Sequence, residues 1–227
     1  VIPAISDDEM ILCDDSTATA VSDGIEEFDL TDLDALVTSG NPDHVASYFF
    51  TQQNALDDAS EIIPANAYSN TTSPFNQTLW VRVDNTATGC FDVASFNITV
   101  NEFPAITRPE IAEHFFACEE VPDHGDFELN KPENIAKVTG GLPNLQVTYF
   151  ANLGEAEAGD PINALPAIYV VPDGPIYARV VNMSTGCWAV TRVILEVTPA
   201  PIAPVLAALE ECDLNNDGVA EFNLDAV

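Results

Sequence analysis

The residues best suited to chemistry lie in Cys212-Asp-Leu-Asn-Asn-Asp-Gly218. Asp213, Asn215 and Asp217 alternate, and Gly218 follows them. Oxygen ligands at every second position, closed by a glycine, are how a short loop wraps a hard cation, so this stretch is a candidate Ca2+ site. An EF-hand loop would need a glutamate where Leu224 stands, so another ligand must come from elsewhere, such as Glu221. Acidic loops also follow Cys13 (Asp14, Asp15, Asp23-Gly24) and Cys118 (Glu119, Glu120, Asp123, Gly125), but their lengths differ. An acidic, solvated turn is the plain alternative at all three.

Five cysteines form a second constellation: Cys13, Cys90, Cys118, Cys187 and Cys212. None belongs to a C-x-x-C pair, which argues against zinc and thioredoxin-like chemistry. Two of them end the tripeptide Thr-Gly-Cys, each at a similar distance after an earlier cysteine. That spacing predicts one bridge inside each of two repeats, Cys13–Cys90 and Cys118–Cys187, with Cys212 opening a third repeat whose partner lies beyond this chain. Such bridges persist only in an oxidising compartment, which places the protein outside the cytosol. The alternative is five reduced, buried cysteines in a cytosolic protein.

Arg82 and Arg179 recur at matching places although the chain has only 6 basic residues. An arginine so placed clamps a carboxylate or sugar acid, or serves as a cross-strand partner for one of the many acids. Trp80, Trp188, Tyr48 and Tyr149 are candidates for a sugar-stacking platform, though buried tyrosines also suit a sandwich core. His44, His114 and His124 are too scattered for a nucleophile–base triad. There is no phosphate loop, HExxH or GxSxG. Acid pairs are abundant and nothing singles one out, so the chain reads as a non-enzyme. Asn70-Thr-Thr72, Asn76-Gln-Thr78 and Asn97-Ile-Thr99 match the N-glycosylation pattern, a common coincidence in Asn/Thr-rich β proteins.

The elements that must position these groups are announced by a repeat. Arg82-Val-Asp-Asn-Thr-Ala-Thr-Gly-Cys90 recurs as Arg179-Val-Val-Asn-Met-Ser-Thr-Gly-Cys187. In both, a β-rich run (Leu79 to Val83, Ile176 to Val181) meets an Asn/Thr/Gly turn and a longer β-rich run (Phe91 to Val100, Trp188 to Val197). This is a β-hairpin signature, present twice. Upstream, Phe28-Asp-Leu30 matches Phe127-Glu-Leu129, and His44 to Thr51 matches Leu145 to Phe150. Short helical turns are expected from Thr31 to Val37 and from Lys131 to Val138, the latter with proline in its first turn and Gly140-Gly141 ending it. The last strand of each repeat alternates, with Phe96, Ile98 and Val100 on one face, and likewise Val193, Leu195 and Val197. The cysteines read as inward-facing, so each bridge would lace first strand to last across the core. The expectation is an all-β chain of tandem immunoglobulin-like sandwiches spanning 1–103 and 104–200, with a partial third repeat at 201–227. The chain therefore reads as a fragment of something longer.

Composition narrows the function classes. A net charge of −31, from 37 acids against 6 basic residues, repels nucleic acid and anionic membranes. An apolar content of 47% is that of a folded protein rather than an acidic disordered tail. No run is long and apolar enough for a transmembrane helix.

Taken together, the pattern Cys–acidic loop–Asp-Gly, Phe-[Asp/Asn]-Leu, a Tyr-Phe strand, Arg-Val-x-Asn-x-x-Thr-Gly-Cys and a proline linker resembles the repeats of giant surface proteins of Bacteroidota. Those are exported by the type IX pathway and include gliding-motility adhesins. The second repeat departs from the pattern at its shortened Gly125 loop. The resemblance implies non-enzymatic, extracellular stalks or adhesive fibres with immunoglobulin-like domains. The expected function is a structural and adhesive segment of a cell-surface adhesin or filament. Its expected partners are neighbouring repeats, further copies in a fibre, and surface polysaccharide. A carbohydrate-binding array and an accessory region of a secreted hydrolase are the alternatives.

Overall fold

A computed structural model describes residues 10–14, 22–106 and 112–199, with positions 2, 3, 5, 201, 210, 212, 217–219, 221 and 222 to either side. These residues form two units, each built on a long hairpin. In the first, β1 (Ile11–Cys13), β2 (Glu27–Phe28), α1 (Asp34–Val37), β3 (His44–Phe49), α2 (Gln52–Asp57), β4 (Tyr68–Ser69), β5 (Asn76–Asn85) and β6 (Phe91–Asn101) follow in order. Strands β1-β6-β5-β3 make one sheet and β2-β4 the other. The first strand runs parallel to the last, and every other pair is antiparallel. This is an immunoglobulin-like sandwich.

The second unit repeats the plan with β7 (Glu113–Val121), β8 (His124–Glu128), α3 (Pro132–Thr139), β9 (Leu145–Phe150), α4 (Leu153–Ala158), β10 (Ile168–Val171), β11 (Gly174–Asn182) and β12 (Trp188–Thr198). Here β7 is long enough to serve both sheets. Its first part runs parallel to β12, and beyond Cys118 it pairs with β8. Gly125 lies at that crossing, where a Cβ would meet the Ala117 side chain at 2.8 Å.

Alternation on the long strands fills the cores. Phe96, Ile98 and Val100 of β6 are buried against Leu79 and Val81 of β5, and Val193 and Leu195 of β12 against Ile176, Ala178 and Val180 of β11. The repeated Phe-x-Leu motifs are anchors: Phe28, Leu30, Phe127 and Leu129 are all at most 2% exposed. Asp29, two residues before the expected Thr31, caps the first helical segment by accepting from the Thr31 N–H. A 3₁₀ turn over Leu30–Leu33 starts the winding early. Asp34 accepts a 2.7 Å bond from the Tyr48 hydroxyl.

Tyr48 and Tyr149 hold matching core positions but are not equally satisfied. The Tyr149 hydroxyl is buried without a hydrogen-bond partner. Burial pushes both phenols above the usual tyrosine range, and in Tyr48 the bond to the Asp34 carboxylate adds to the shift. A phenol whose folded pKa is raised contributes stability that is full below its unfolded value, near 10, and is lost as pH climbs through the folded value. Denaturant unfolding should therefore show Tyr48→Phe destabilising by about 1 kcal/mol and Tyr149→Phe neutral or stabilising. The fall in stability above about pH 10 should be shallower in Tyr149→Phe.

Candidate functional site

The repeated stretch at the top of each hairpin is a cysteine-presenting turn. The Asn85 carbonyl accepts from the Gly89 N–H at 2.8 Å, and its side chain accepts from the Ala87 and Thr88 N–H groups. The Thr88 hydroxyl accepts from the Cys90 N–H, while Gly89 adopts φ +73°. Asn182, Thr185, Gly186 (φ +77°) and Cys187 rebuild the turn, with the Asn182 side chain accepting from the Ser184 N–H. The Asn, Thr and Gly of the motif thus fix a cysteine just ahead of the last strand.

The bridge formed is Cys13–Cys187, with a Cα separation of 5.5 Å and a sequence separation of 174. This corrects both expected pairings. Cys13 lies opposite Asn101 at the end of β6, whereas Cys90 precedes the first residue of that strand. The 11 residues of β6 hold those two cysteines apart, by roughly 35 Å at the usual strand rise. Cysteines more than about 7 Å apart at Cα cannot be bridged without moving the backbone. The second unit separates Cys118, opposite Thr198, from Cys187 in the same way. The bridge therefore crosses neither core. It joins the pole where β1 and β6 of the first unit end to the hairpin turn of the second, and the Cys187 sulfur sits 3.9 Å from the Asn101 carbonyl. Cys187 is fully buried, while Cys90, Cys118 and Cys212 are exposed and unpaired.

Beside each turn lies an arginine with a defined job. Arg82 spreads over the Phe91 ring at 3.6 Å and donates from Nη1 to the Ala55 and Leu56 carbonyls, at the C-terminal end of α2. Its Nε and Nη2 grip Asp84 at 2.7 and 2.8 Å. Arg179 lies over Trp188 at 3.7 Å and donates from Nη1 to the Ala156 and Glu157 carbonyls of α4. Cations are favoured at helix C-termini, where carbonyls lack partners. The hydrogen bond to Asp84 holds the Arg82 pKa above its ordinary value, whereas burial alone lowers that of Arg179. The acid on Arg82 is a neighbour on its own strand rather than a cross-strand partner.

The remaining candidates divide. Tyr48 and Tyr149 fill the cores and Trp188 lies beneath Arg179, so these side chains do not assemble into a stacking platform. Asp14 points inward and accepts from the Ser22 hydroxyl and the Gly24 N–H. Asn70, fully buried, accepts from the Glu26 N–H and donates to the Gly24 carbonyl, so its sequon is a structural asparagine. Asp213 and Asn215 lie outside the described residues, and Asp217 is exposed, accepting from the Val219 N–H. Among the described residues no group of three or more His, Cys, Asp or Glu is placed to hold a metal, and no helix is long and apolar enough to cross a membrane.

A family model described as the Flavobacterium inter-domain disulphide bond domain matches residues 9–104 and 114–201. No curated protein matches the sequence. Among solved structures, an I-band fragment of titin is 12% identical with a TM-score of 0.28, over 70% of this chain and 56% of that one. A SusE-like surface polysaccharide-binding protein of Bacteroides thetaiotaomicron is 11% identical with a TM-score of 0.29, over 69% of this chain and 29% of that one. Drosophila N-cadherin is 12% identical with a TM-score of 0.25, over 70% of this chain and 57% of that one.

Because the bridge bypasses both cores, its loss should loosen the pair of units without unfolding either. Non-reducing peptide mapping should recover a Cys13–Cys187 cross-linked peptide. The double variant Cys13→Ser/Cys187→Ser should keep its strand content by circular dichroism and gain maximum dimension in small-angle scattering. A recovered Cys13–Cys90 peptide would contradict the assignment.

Proposed function

Since the chain belongs to the Flavobacterium inter-domain disulphide bond domain family, we propose that it is a non-catalytic segment of an extracellular cell-surface fibre, in which each domain is a spacer covalently locked to the next. The observation that carries this reading is the Cys13–Cys187 bridge, which ties the far pole of one unit to the near turn of its successor. Cys118 is the counterpart of Cys13 and Cys90 that of Cys187, and both are exposed with free thiols. In this reading Cys118 bonds the Thr-Gly-Cys turn of a following domain, and Cys90 the first-strand cysteine of a preceding one.

The result is a staggered ladder suited to carrying tension between a cell and its surroundings, in the manner of a type IX-exported adhesin or filament. Neighbouring domains and further fibre copies are its partners, with surface polysaccharide as the adhesive target. A high acidic charge keeps such fibres apart in solution. The loop after Cys212 completes the proposal as a Ca2+ site at a joint, formed by Asp213, Asn215 and Asp217. Calorimetric titration with Ca2+ should give saturable heat that Asp217→Ala removes, and no heat in the parent chain would discard the site.

Single-molecule extension tests the spacer reading, with handles placed outside residues 13 and 187. Unfolding under reducing conditions should release about 30 nm for each unit of roughly ninety residues. Under oxidising conditions the closed loop should withhold nearly all of that length. Equal steps in both conditions would overturn the reading.

A further inference from the structure

The two arginine seats share a scaffold and differ in one respect. Each guanidinium lies on an aromatic ring and is pinned through Nη1 to two helix carbonyls. In the first unit the Nε–Nη2 edge is filled by Asp84, with Asp58 adding its charge. In the second, Val181 stands in the place of Asp84, and Gly159 in the place of Asp58 at the helix end. No ion pair to Arg179 forms among the described residues, and its Nε and Nη2 have no acceptor there.

The surroundings keep that edge fixed and open. Gly159, at φ +66°, backs directly onto the guanidinium: a Cβ there would meet Nε at 2.8 Å and Cζ at 2.9 Å. Strand register sets Val181 opposite Trp188 on one side and opposite the exposed Gln146 on the other. The first unit has Val45 at the Gln146 position. In a chain of 37 acids, the aspartate paired with the first arginine has no counterpart at the second, and an exposed glutamine stands opposite Val181.

A guanidinium fork matches a carboxylate with two parallel hydrogen bonds, and a fork already held in place loses little freedom on binding. We propose that the Nε–Nη2 edge of Arg179 is a carboxylate seat filled from outside the chain, by a small organic acid or by a uronate of an acidic polysaccharide. Asp84 shows in the first unit the geometry that the external carboxylate adopts in the second. Val181 and Trp188 supply the apolar wall of the seat, and Gln146 supplies an amide to a second oxygen. This site goes beyond the spacer reading and does not depend on it.

The test follows the arginine Nε–Hε signals by NMR in the oxidised chain, during titration with acetate, galacturonate and a galacturonate oligomer. The Arg179 signal should move saturably while the Arg82 signal stays put. Val181→Asp should shift the Arg179 signal to an Arg82-like position and abolish the response. Asp84→Val should give Arg82 a response of its own, and Arg179→Lys should weaken acetate binding at least ~tenfold, because the ammonium keeps the charge without the fork. Oligomer binding at least ~tenfold tighter than acetate would identify the polysaccharide as the source, and equal binding the small acid. An unmoved Arg179 signal, or an undiminished response in Val181→Asp, would overturn the proposal.

Discussion

The parallel pairing of first strand with last governs this molecule. Parallel strands point the same way, so a cysteine closing the first strand and one heading the last are carried to opposite poles of a sandwich. Neither unit can satisfy its own pair of sulfurs. What each can do is present one sulfur at each end, facing whatever is stacked there. The covalent link between units follows from hydrogen-bond direction in β1–β6 and β7–β12. No special feature of the linker is required.

The hairpin turns make that geometry repeatable. A sulfur at the tip of a flexible loop would find its partner slowly, whereas these turns are held by backbone and side-chain hydrogen bonds around Asn85 and Asn182. Next to each turn, an arginine stitches the first strand of the hairpin to the end of a short helix that would otherwise expose unpaired carbonyls. The stretch from arginine to cysteine therefore acts as one device. It positions the sulfur and fastens the outer layer of the sandwich at once.

Much of this was legible in the residues. The repeat, the hairpin, the core faces of β6 and β12, and the helix from Pro132 to Thr139 all follow from local pattern, because period-two alternation and glycine or proline punctuation act over a few residues. The disulfide partner was not legible in that way. Spacing along the chain suggested a bond within each repeat, yet spacing carries no information on strand direction. A usable signal did exist: Cys13 ends its strand and Cys90 begins one, and in an immunoglobulin-like sandwich with first and last strands parallel these positions diverge. The role of Arg82 was half legible. An acid two residues along was visible, but the helix carbonyls of Ala55 and Leu56 arrive from a distant part of the chain.

The bridge also changes what a break in the backbone does. Because Cys13 and Cys187 stand 174 positions apart in sequence, a protease that severs one peptide bond between them leaves the two pieces joined through sulfur. The hydrogen-bonded sheets then hold the nicked ends in place. Damage to an exposed loop is thereby uncoupled from loss of everything distal to it.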